Sequence, residues 1–123
     1  MNVPSKRLIS TIAFVSLSLS SCVFDDFLDE RRQQALRAEF RALGEKCARV
    51  NIPYPETSKC IVAAGYTLKA GYAPALGQSM TSVRRCVGES CGWINITVER
   101  NGNVLRWEVG SSGKPGLPSN ALN

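Results

Sequence analysis

The chain has 123 residues, a formal net charge of +5, five cysteines and no histidine. This length suits one modest domain. The absence of histidine removes the commonest general base, the usual zinc ligand and the nucleophile systems in which serine or cysteine is paired with histidine. The glycines form neither a phosphate loop nor a dinucleotide-binding fingerprint. We therefore expect no enzymatic activity, no metal site and no cofactor.

Residues 1–21 predict a secretory signal peptide. Lys6 and Arg7 precede an uncharged stretch of apolar and small residues from Leu8 to Leu19. A basic start, a short apolar core and small residues before a cleavage site are typical of such signals. A transmembrane helix is the alternative, but this stretch would span only about 18 Å of the roughly 30 Å hydrocarbon core of a bilayer.

Leu19-Ser20-Ser21-Cys22 closes this segment and resembles the lipobox of bacterial lipoproteins. The resemblance implies cleavage before Cys22, diacylglycerol on its thiol and a further acyl chain, such as palmitate, on its amino group. An ordinary signal peptide with a chance cysteine is the alternative. Several acyl chains on one residue anchor a protein stably. In bacteria with two membranes, an aspartate directly after the lipidated cysteine tends to retain a lipoprotein at the inner membrane. Val23 stands at that position, so in such a host we expect an outer-membrane location that faces the periplasm.

Cleavage would remove two of the 15 basic residues and none of the 10 acidic residues, which lowers the net charge from +5 to +3. So modest a charge, in an envelope protein, argues against nucleic acid as a partner. We expect a lipidated stalk over residues 22–29, one small domain over residues 30–109 and a flexible tail over residues 110–123.

Four further cysteines predict two disulfides, since small exported domains are commonly stabilised in this way. They are Cys47, Cys60, Cys86 and Cys91. Three connectivities are possible, and proximity along the chain favours Cys47–Cys60 with Cys86–Cys91. A zinc site made of four thiolates is the alternative, but no two cysteines have CxxC spacing.

A long amphipathic helix is predicted from Asp26 to Val50. This range has no proline and is rich in good helix formers, and acidic residues at its start suit the helix dipole. Apolar residues recur along it at steps of four and three, namely Leu36, Phe40, Leu43, Cys47 and Val50. We expect this stripe to pack on the core of the domain.

The long helix must end before Pro53 and Pro55, which cannot continue it. The segment from Thr57 to Gly65 predicts a short second helix with a polar cap and a terminal glycine. A strand that starts at Cys60 is equally compatible with the pattern. Glycine and proline indicate a loop over residues 67–78.

A two-turn helix is predicted next, capped by Ser79 or Thr81 and stopped by Gly88. Its apolar positions recur at helical spacing around two arginines: Met80, Val83 and Val87, with Arg84 and Arg85. The arginines and Trp93 are candidate contacts for an anionic or protein partner. The alternatives are an exposed helix face for the arginines and a place at the edge of the core for the tryptophan.

The clearest structural signal is a C-terminal β-hairpin. Asn101-Gly102 separates two alternating runs and is typical of a type I′ turn. A two-residue turn would place the apolar pairs Ile94–Val109, Ile96–Trp107 and Val98–Leu105 on one face, and Asn95–Glu108 and Thr97–Arg106 on the other. Because two strands alone are marginal, we expect a third from residues 60–70. The predicted fold class is α+β, with helices packed on a small antiparallel sheet.

Short motifs over residues 77–109 carry a second resemblance. They are Gly77-Gln78-Ser79-Met80-Thr81-Ser82-Val83-Arg84-Arg85-Cys86-Val87-Gly88-Glu89-Ser90, then Trp93, then Asn101-Gly102-Asn103-Val104. They resemble the SmpA/OmlA (BamE-like) family of outer-membrane lipoproteins, in which a Met-Thr helix cap and a Val-Arg pair precede a tryptophan and a strand pair. The resemblance implies two helices against a three-stranded antiparallel sheet and a role in the assembly of outer-membrane β-barrels.

These features predict a non-catalytic lipoprotein of the cell envelope that is anchored to the membrane through Cys22. We expect it to act by protein–protein interaction or in outer-membrane assembly and integrity. The alternative is a small periplasmic inhibitor or immunity-type lipoprotein that acts on a hydrolase or a competing element. The protein that it binds distinguishes the two hypotheses.

Overall fold

A computed structural model describes residues 21–113, with side chains from Phe24 onward. Helix α1 spans Ser21–Cys47 and lies across one face of a sheet. Its buried side chains recur at steps of four and three, at Asp29, Gln33, Leu36, Phe40, Leu43 and Cys47. The predicted stripe is therefore confirmed from Leu36 to Cys47. It was wrong at Val50, which is 53% exposed because the helix has already ended.

Helix α2 spans Tyr54–Ala63, so the helical alternative for this segment is the correct one. It begins earlier than Thr57, with Pro53 as its N-cap and a second proline in its first turn. Proline is tolerated there because the first amide groups of a helix have no partner within it. The disulfide Cys47–Cys60 ties α2 to the end of α1, with 5.4 Å between the two Cα atoms.

The sheet is antiparallel and four-stranded, in the order β1-β2-β3-β4. Its strands are β1, Lys69–Gly71, β2, Ser79–Val87, β3, Ser90–Val98, and β4, Val104–Ser112. The α+β fold class and both favoured disulfides are confirmed. The third strand expected from residues 60–70 overlaps only the start of β1, and β2 is the strand that pairs with the hairpin along its whole length.

The helix predicted over residues 79–88, also implied by the family resemblance, was wrong, since these residues form β2. Nine residues fit both a helical and an alternating pattern, so tertiary pairing decides between them. Here β2 pairs with β3 from end to end, and the disulfide Cys86–Cys91 bridges the two strands. Gly88, predicted to stop the helix, has a φ of 61° and opens the two-residue turn between the strands.

The register of the β3–β4 hairpin is confirmed for four of the five predicted pairs: Ile94–Val109, Asn95–Glu108, Ile96–Trp107 and Thr97–Arg106. The fifth was wrong, because Val98 pairs with Val104 across a bulge. The turn is one residue longer than a type I′ turn, with a positive φ of 87° at Gly102 alone. The side chain of Asn101 accepts the Asn103 N–H at 2.9 Å, which stabilises the wider turn.

Both predicted boundaries of the domain lie inside regular structure. Residues 22–29, predicted as a stalk, belong to α1, and Asp29 is buried at their end. Strand β4 continues to Ser112, and its residues Gly110 and Ser111 are buried although the tail was predicted to start there. The signal peptide up to residue 20 and the tail from residue 114 lie outside the described residues.

Alternation along the strands gives the sheet two different faces. The inner face packs against α1, so that a Cβ added to Gly92 would lie 2.6 Å from the Cβ of Leu36. Its apolar side chains are almost fully buried and form the core with the stripe of α1: Val83, Ile94, Ile96, Val98, Val104 and Val109. The opposite, outer face is polar and carries Trp93 over Gly110.

Candidate partner-binding surface

The short strand β1 leaves half of β2 without a neighbour on one side. β1 pairs with β2 only from Met80 to Ser82. We call the remaining part, residues 83–87, the β2 edge. Four of its five residues, Arg84 to Val87, are exposed. A strand edge of this kind presents backbone N–H and C=O groups that have no partner strand.

The turn between β2 and β3 determines which backbone groups point outward. Val87 and Ser90 flank the two-residue turn, so they form the hydrogen-bonded pair that closes it. Hydrogen-bonded and non-hydrogen-bonded pairs alternate along an antiparallel ladder. Arg85 and Val83 therefore bond to β3, whereas Arg84 and Cys86 direct their backbone groups to the β2 edge.

A cleft of about 550 Å³ lies beside the β2 edge. Residues 65–67, which connect α2 to β1, form one wall, and Ser82, Arg84 and Arg85 form the other together with Lys69. The cleft exists because this connection diverges from β2 before the pairing with β1 begins.

Three side chains from different elements form a hydrogen-bonded group at the cleft. Arg85 donates to both carboxylate oxygens of Glu39, at 3.0 and 2.5 Å, and the Tyr66 hydroxyl donates to the same carboxylate at 2.5 Å. The hydrogen bonds from Arg85 lower the pKa of Glu39, and partial burial opposes this effect. Burial and the bond to Glu39 raise the pKa of Tyr66 to about 12. Glu39 is therefore already occupied by a cation and a hydroxyl.

Arg84 lies on the outer face, opposite Trp93 in the register of β2 and β3. Its guanidinium carbon is 5.7 Å from the centroid of the tryptophan ring, which is within the range of a cation–π contact. Lys69 lies on the same face, because it pairs with Ser82, two residues from Arg84. Within residues 24–113, neither Arg84 nor Lys69 forms a salt bridge with a carboxylate.

The three predicted contact residues therefore divide between two environments. Arg84 and Trp93 meet on the outer face, whereas Arg85 turns to the other side and binds Glu39. Sequence reasoning missed Glu39, Tyr66 and Lys69. No local signal joins Tyr66 to Glu39, because that contact spans 27 positions of the chain.

A second polar cluster is buried between α1 and the ends of β3 and β4. Asp29 accepts hydrogen bonds from Ser90 at 2.5 Å and from Gln33 at 3.1 Å. Ser111 donates to Gln33 at 2.9 Å and accepts from Arg37 at 2.5 Å. Asp29, one of the acidic residues near the predicted start of the helix, is only 2% exposed. Buried and mutually bonded, this cluster fastens the first half of α1 to the sheet.

The start of α1 carries exposed aromatic side chains. Phe24 and Phe27 are 57% and 55% exposed, and the guanidinium of Arg31 lies 5.8 Å from the centroid of the Phe27 ring. Residues three or four apart share one side of a helix, so these three side chains form a single exposed stripe. The backbone of Cys22, the predicted lipidation site, lies in the preceding turn.

Within residues 21–113, no helix combines the length and the apolar character needed to cross a membrane. The described part of the chain also holds no cluster of three or more histidine, cysteine or acidic side chains arranged to bind a metal ion. In comparisons with known proteins, no family model, curated protein or solved structure matches the chain.

Proposed function

We propose that this protein is a non-catalytic envelope lipoprotein, anchored through lipid on Cys22, whose domain binds another envelope protein. The observation that carries the binding role is the β2 edge with its cleft. There the exposed edge of β2 lies beside the cation–π pair of Arg84 with Trp93. Lys69 lies at the same cleft and forms no salt bridge with a described carboxylate. Arginine, tryptophan and tyrosine are the residue types most enriched at the centres of protein interfaces, and here Arg84 is exposed and Trp93 is half-buried.

The start of α1 supports the membrane role. Phe24 and Phe27 would lie within two turns of the lipid on Cys22, on one side of the helix. Aromatic rings next to a lipid anchor add apolar contact with the interface of a bilayer. Arg31 continues the stripe and would reach the phosphates of the headgroups while its stem stays with Phe27.

The outer membrane is the proposed location, with the domain in the periplasm. The support is Val23 directly after the lipidated cysteine. We extend the proposal to a role in outer-membrane assembly or integrity, which co-purified barrel or assembly proteins would support. Both disulfides suit an oxidising compartment of this kind.

Metabolic labelling tests the anchor. Cells that express the wild-type chain or Cys22→Ser are grown with a clickable palmitate analogue and then fractionated. The proposal predicts label and membrane recovery for the wild type, and neither for Cys22→Ser. Phe24→Ser with Phe27→Ser should keep the label but release more protein when the membranes are washed. A wild-type chain without label would contradict the anchor.

Co-purification tests the binding role. The chain is tagged after Asn123, extracted gently from membranes and recovered with its partners. Stoichiometric barrel proteins or assembly proteins support the proposal. Recovery of the protein alone, from cells in which it is membrane-bound, would contradict it.

A second candidate is a small inhibitor or immunity-type lipoprotein. The observation that favours it is the position of Arg84 and Trp93 on two strands joined by the disulfide Cys86–Cys91. A rigid pair of this kind suits insertion into the acidic active-site cleft of a hydrolase. Recovery of a soluble hydrolase in place of a membrane protein, with loss of its activity in the complex, would favour this candidate.

A further inference from the structure

We propose that the β2 edge receives an extended acidic segment of the partner protein, which adds to the sheet as a further strand beside β2. This inference rests on the proposed binding function and specifies the chemistry of the partner. Strand addition is a general mode of peptide recognition, in which backbone hydrogen bonds supply affinity and alternate side chains supply specificity.

The backbone groups of the β2 edge have the orientation that this pairing requires. Arg84 and Cys86 direct their N–H and C=O groups away from β3, at positions that β1 does not reach. An incoming strand next to Cys86 continues the ladder that β1 begins at Ser82. The cleft supplies the space, since it lies between β2 and the connection that leads into β1.

The edge is also held in its extended form before any partner binds. Cys86 is bonded to Cys91 on the neighbouring strand, with 4.0 Å between their Cα atoms. The tight turn at Gly88 closes the same strand pair. A strand that is already ordered loses little conformational entropy on binding, which favours affinity.

Charge identifies the incoming strand as acidic. Lys69 and Arg84 lie on the outer face beside the open edge, and no described carboxylate forms a salt bridge with either. The carboxylate at the cleft, that of Glu39, is already bonded to Arg85 and Tyr66. Opposite charges on neighbouring strands attract when they share a face. The proposed segment therefore carries Asp or Glu at every second position, on the side that faces Arg84.

The same charges argue against a second copy of this chain as the occupant. Two β2 edges placed side by side would bring Arg84 and Arg85 of one copy next to those of the other. Like charges on adjacent strands are destabilising, and charged side chains on an edge are a common protection against self-pairing. The arginines thus disfavour self-association and favour an acidic strand.

The test uses the full chain in detergent micelles and a seven-residue probe peptide in which Glu alternates with Val or Thr. NMR follows amide hydrogen exchange in the presence of the peptide. Strand addition predicts slower exchange at the N–H groups of Arg84 and Cys86. It predicts no change at Val83 and Arg85, which already bond to β3. Fast exchange at Arg84 and Cys86 in a peptide-saturated sample would overturn the proposal.

Two control peptides separate the backbone from the charge. N-methylation at the alternate amides that would face β2 removes the hydrogen-bond donors of the probe to that strand, and replacement of Glu by Lys reverses its charge. Each change should weaken binding by about tenfold or more, which is the scale expected when hydrogen bonds or charge complementarity are lost. Equal binding by either control would overturn the proposal.

Two matched variants locate the site. Arg84→Glu should reduce peptide affinity by about tenfold, because it places a repulsive charge beside the incoming strand. Arg106→Glu, an equal charge change on the outer face of β4, should leave the affinity within about twofold, since it is distant from the β2 edge. Equal losses of affinity in both variants would indicate a general charge effect and would overturn the assignment of the β2 edge as the binding site.

The experiments distinguish a failure of the proposed binding function from a failure of strand addition. One outcome is that a partner is recovered equally with the wild-type chain and with Arg84→Glu, and that the Arg84 and Cys86 amides of the wild type exchange freely in the complex. That result overturns strand addition and leaves the proposed function in place. Self-association of the full chain that slows exchange without any peptide would instead assign the edge to a second copy.

Discussion

The two faces of the sheet are built from neighbouring residues yet serve different purposes. Ile94 is fully buried against α1, whereas the adjacent Trp93 and Asn95 are only half-buried on the outer face. Along β3, this alternation of buried and half-buried residues runs from Ser90 to Ile96. The inner face and the stripe of α1 form the core, whereas the outer face and the β2 edge form the surface that is proposed to bind a partner. Substitutions on the two sides should have correspondingly different effects.

The largest contrast is expected between Ile94→Ala and Asn95→Ala. Ile94→Ala removes a fully buried side chain and leaves a cavity, so it should lower the free energy of unfolding by about 2–5 kcal/mol. Asn95→Ala removes a 2.7 Å hydrogen bond from Ser82 on a half-buried face and should cost about 1 kcal/mol. Urea denaturation measures both values. Equal losses would contradict the division of roles.

The two disulfides should contribute unequally to the free energy of unfolding. Cys47–Cys60 closes the longer loop, with a sequence separation of 13 against 5 for Cys86–Cys91. By the chain-entropy model, replacing the first pair by alanine should cost about 3 kcal/mol and replacing the second about 2 kcal/mol. The double variant Cys86→Ala, Cys91→Ala should also weaken binding of the acidic peptide, because the disulfide no longer holds the β2 edge against β3. A larger stability loss from the second pair would contradict this order.

The buried polar cluster tests whether the start of α1 belongs to the folded domain. Asp29→Ala leaves Ser90 and Gln33 without this acceptor and should cost about 2 kcal/mol. Glu30→Ala, at the exposed next position, should change the free energy of unfolding by less than about 0.5 kcal/mol. Similar small effects at both positions would show that Asp29 does not contribute to fastening α1 to the sheet.

The smallest expected effect comes from the group of Glu39, Tyr66 and Arg85. Because the folded state lowers the pKa of Glu39, its stabilising contribution is present above the ordinary value of 4.5 and is lost as the pH falls below it. Both side chains of the ion pair are partly exposed, so the loss should stay below about 1 kcal/mol. Glu39→Gln should remove this part of the acid dependence, as measured by urea denaturation from pH 6 to about pH 3.

Tyr66 gives the opposite dependence at alkaline pH. The folded state raises its pKa from 10.0 to about 12, so its contribution is complete below pH 10 and is lost as the pH rises towards 12. Tyr66→Phe should flatten the stability profile in that window relative to the wild type. An unchanged slope in the variant would show that Tyr66 does not donate to Glu39 in the folded protein.

Local signals were sufficient where the structure depends on local patterns. The stripe of α1 and the register of β3 with β4 follow from residue spacing, which packing against a core preserves. The loop at Gly102 differed by one residue because an Asn-Gly pair also fits a longer turn with a bulge. This error changed only the pair nearest to the turn.

The β2 strand could have been recognised from two predictions considered together. A Cys86–Cys91 bridge suits a hairpin whose turn lies between the cysteines, and this is incompatible with a helix up to Gly88. The position of Glu39 beside Arg85 was beyond sequence reasoning, since it depends on how α1 crosses the sheet. The burial of Asp29 was missed for the same reason, because its partner Ser90 is 61 positions away.

Photo-crosslinking in living cells tests most directly whether the β2 edge is the partner-binding surface. A photoreactive amino acid replaces Val87, which is 39% exposed on the β2 edge, or Val62, which is 58% exposed on α2. The account predicts one dominant adduct with an envelope protein from position 87 and none from position 62, and the adduct should be lost when Arg84→Glu is added. Equal adducts at both positions, or an adduct only from position 62, would contradict it.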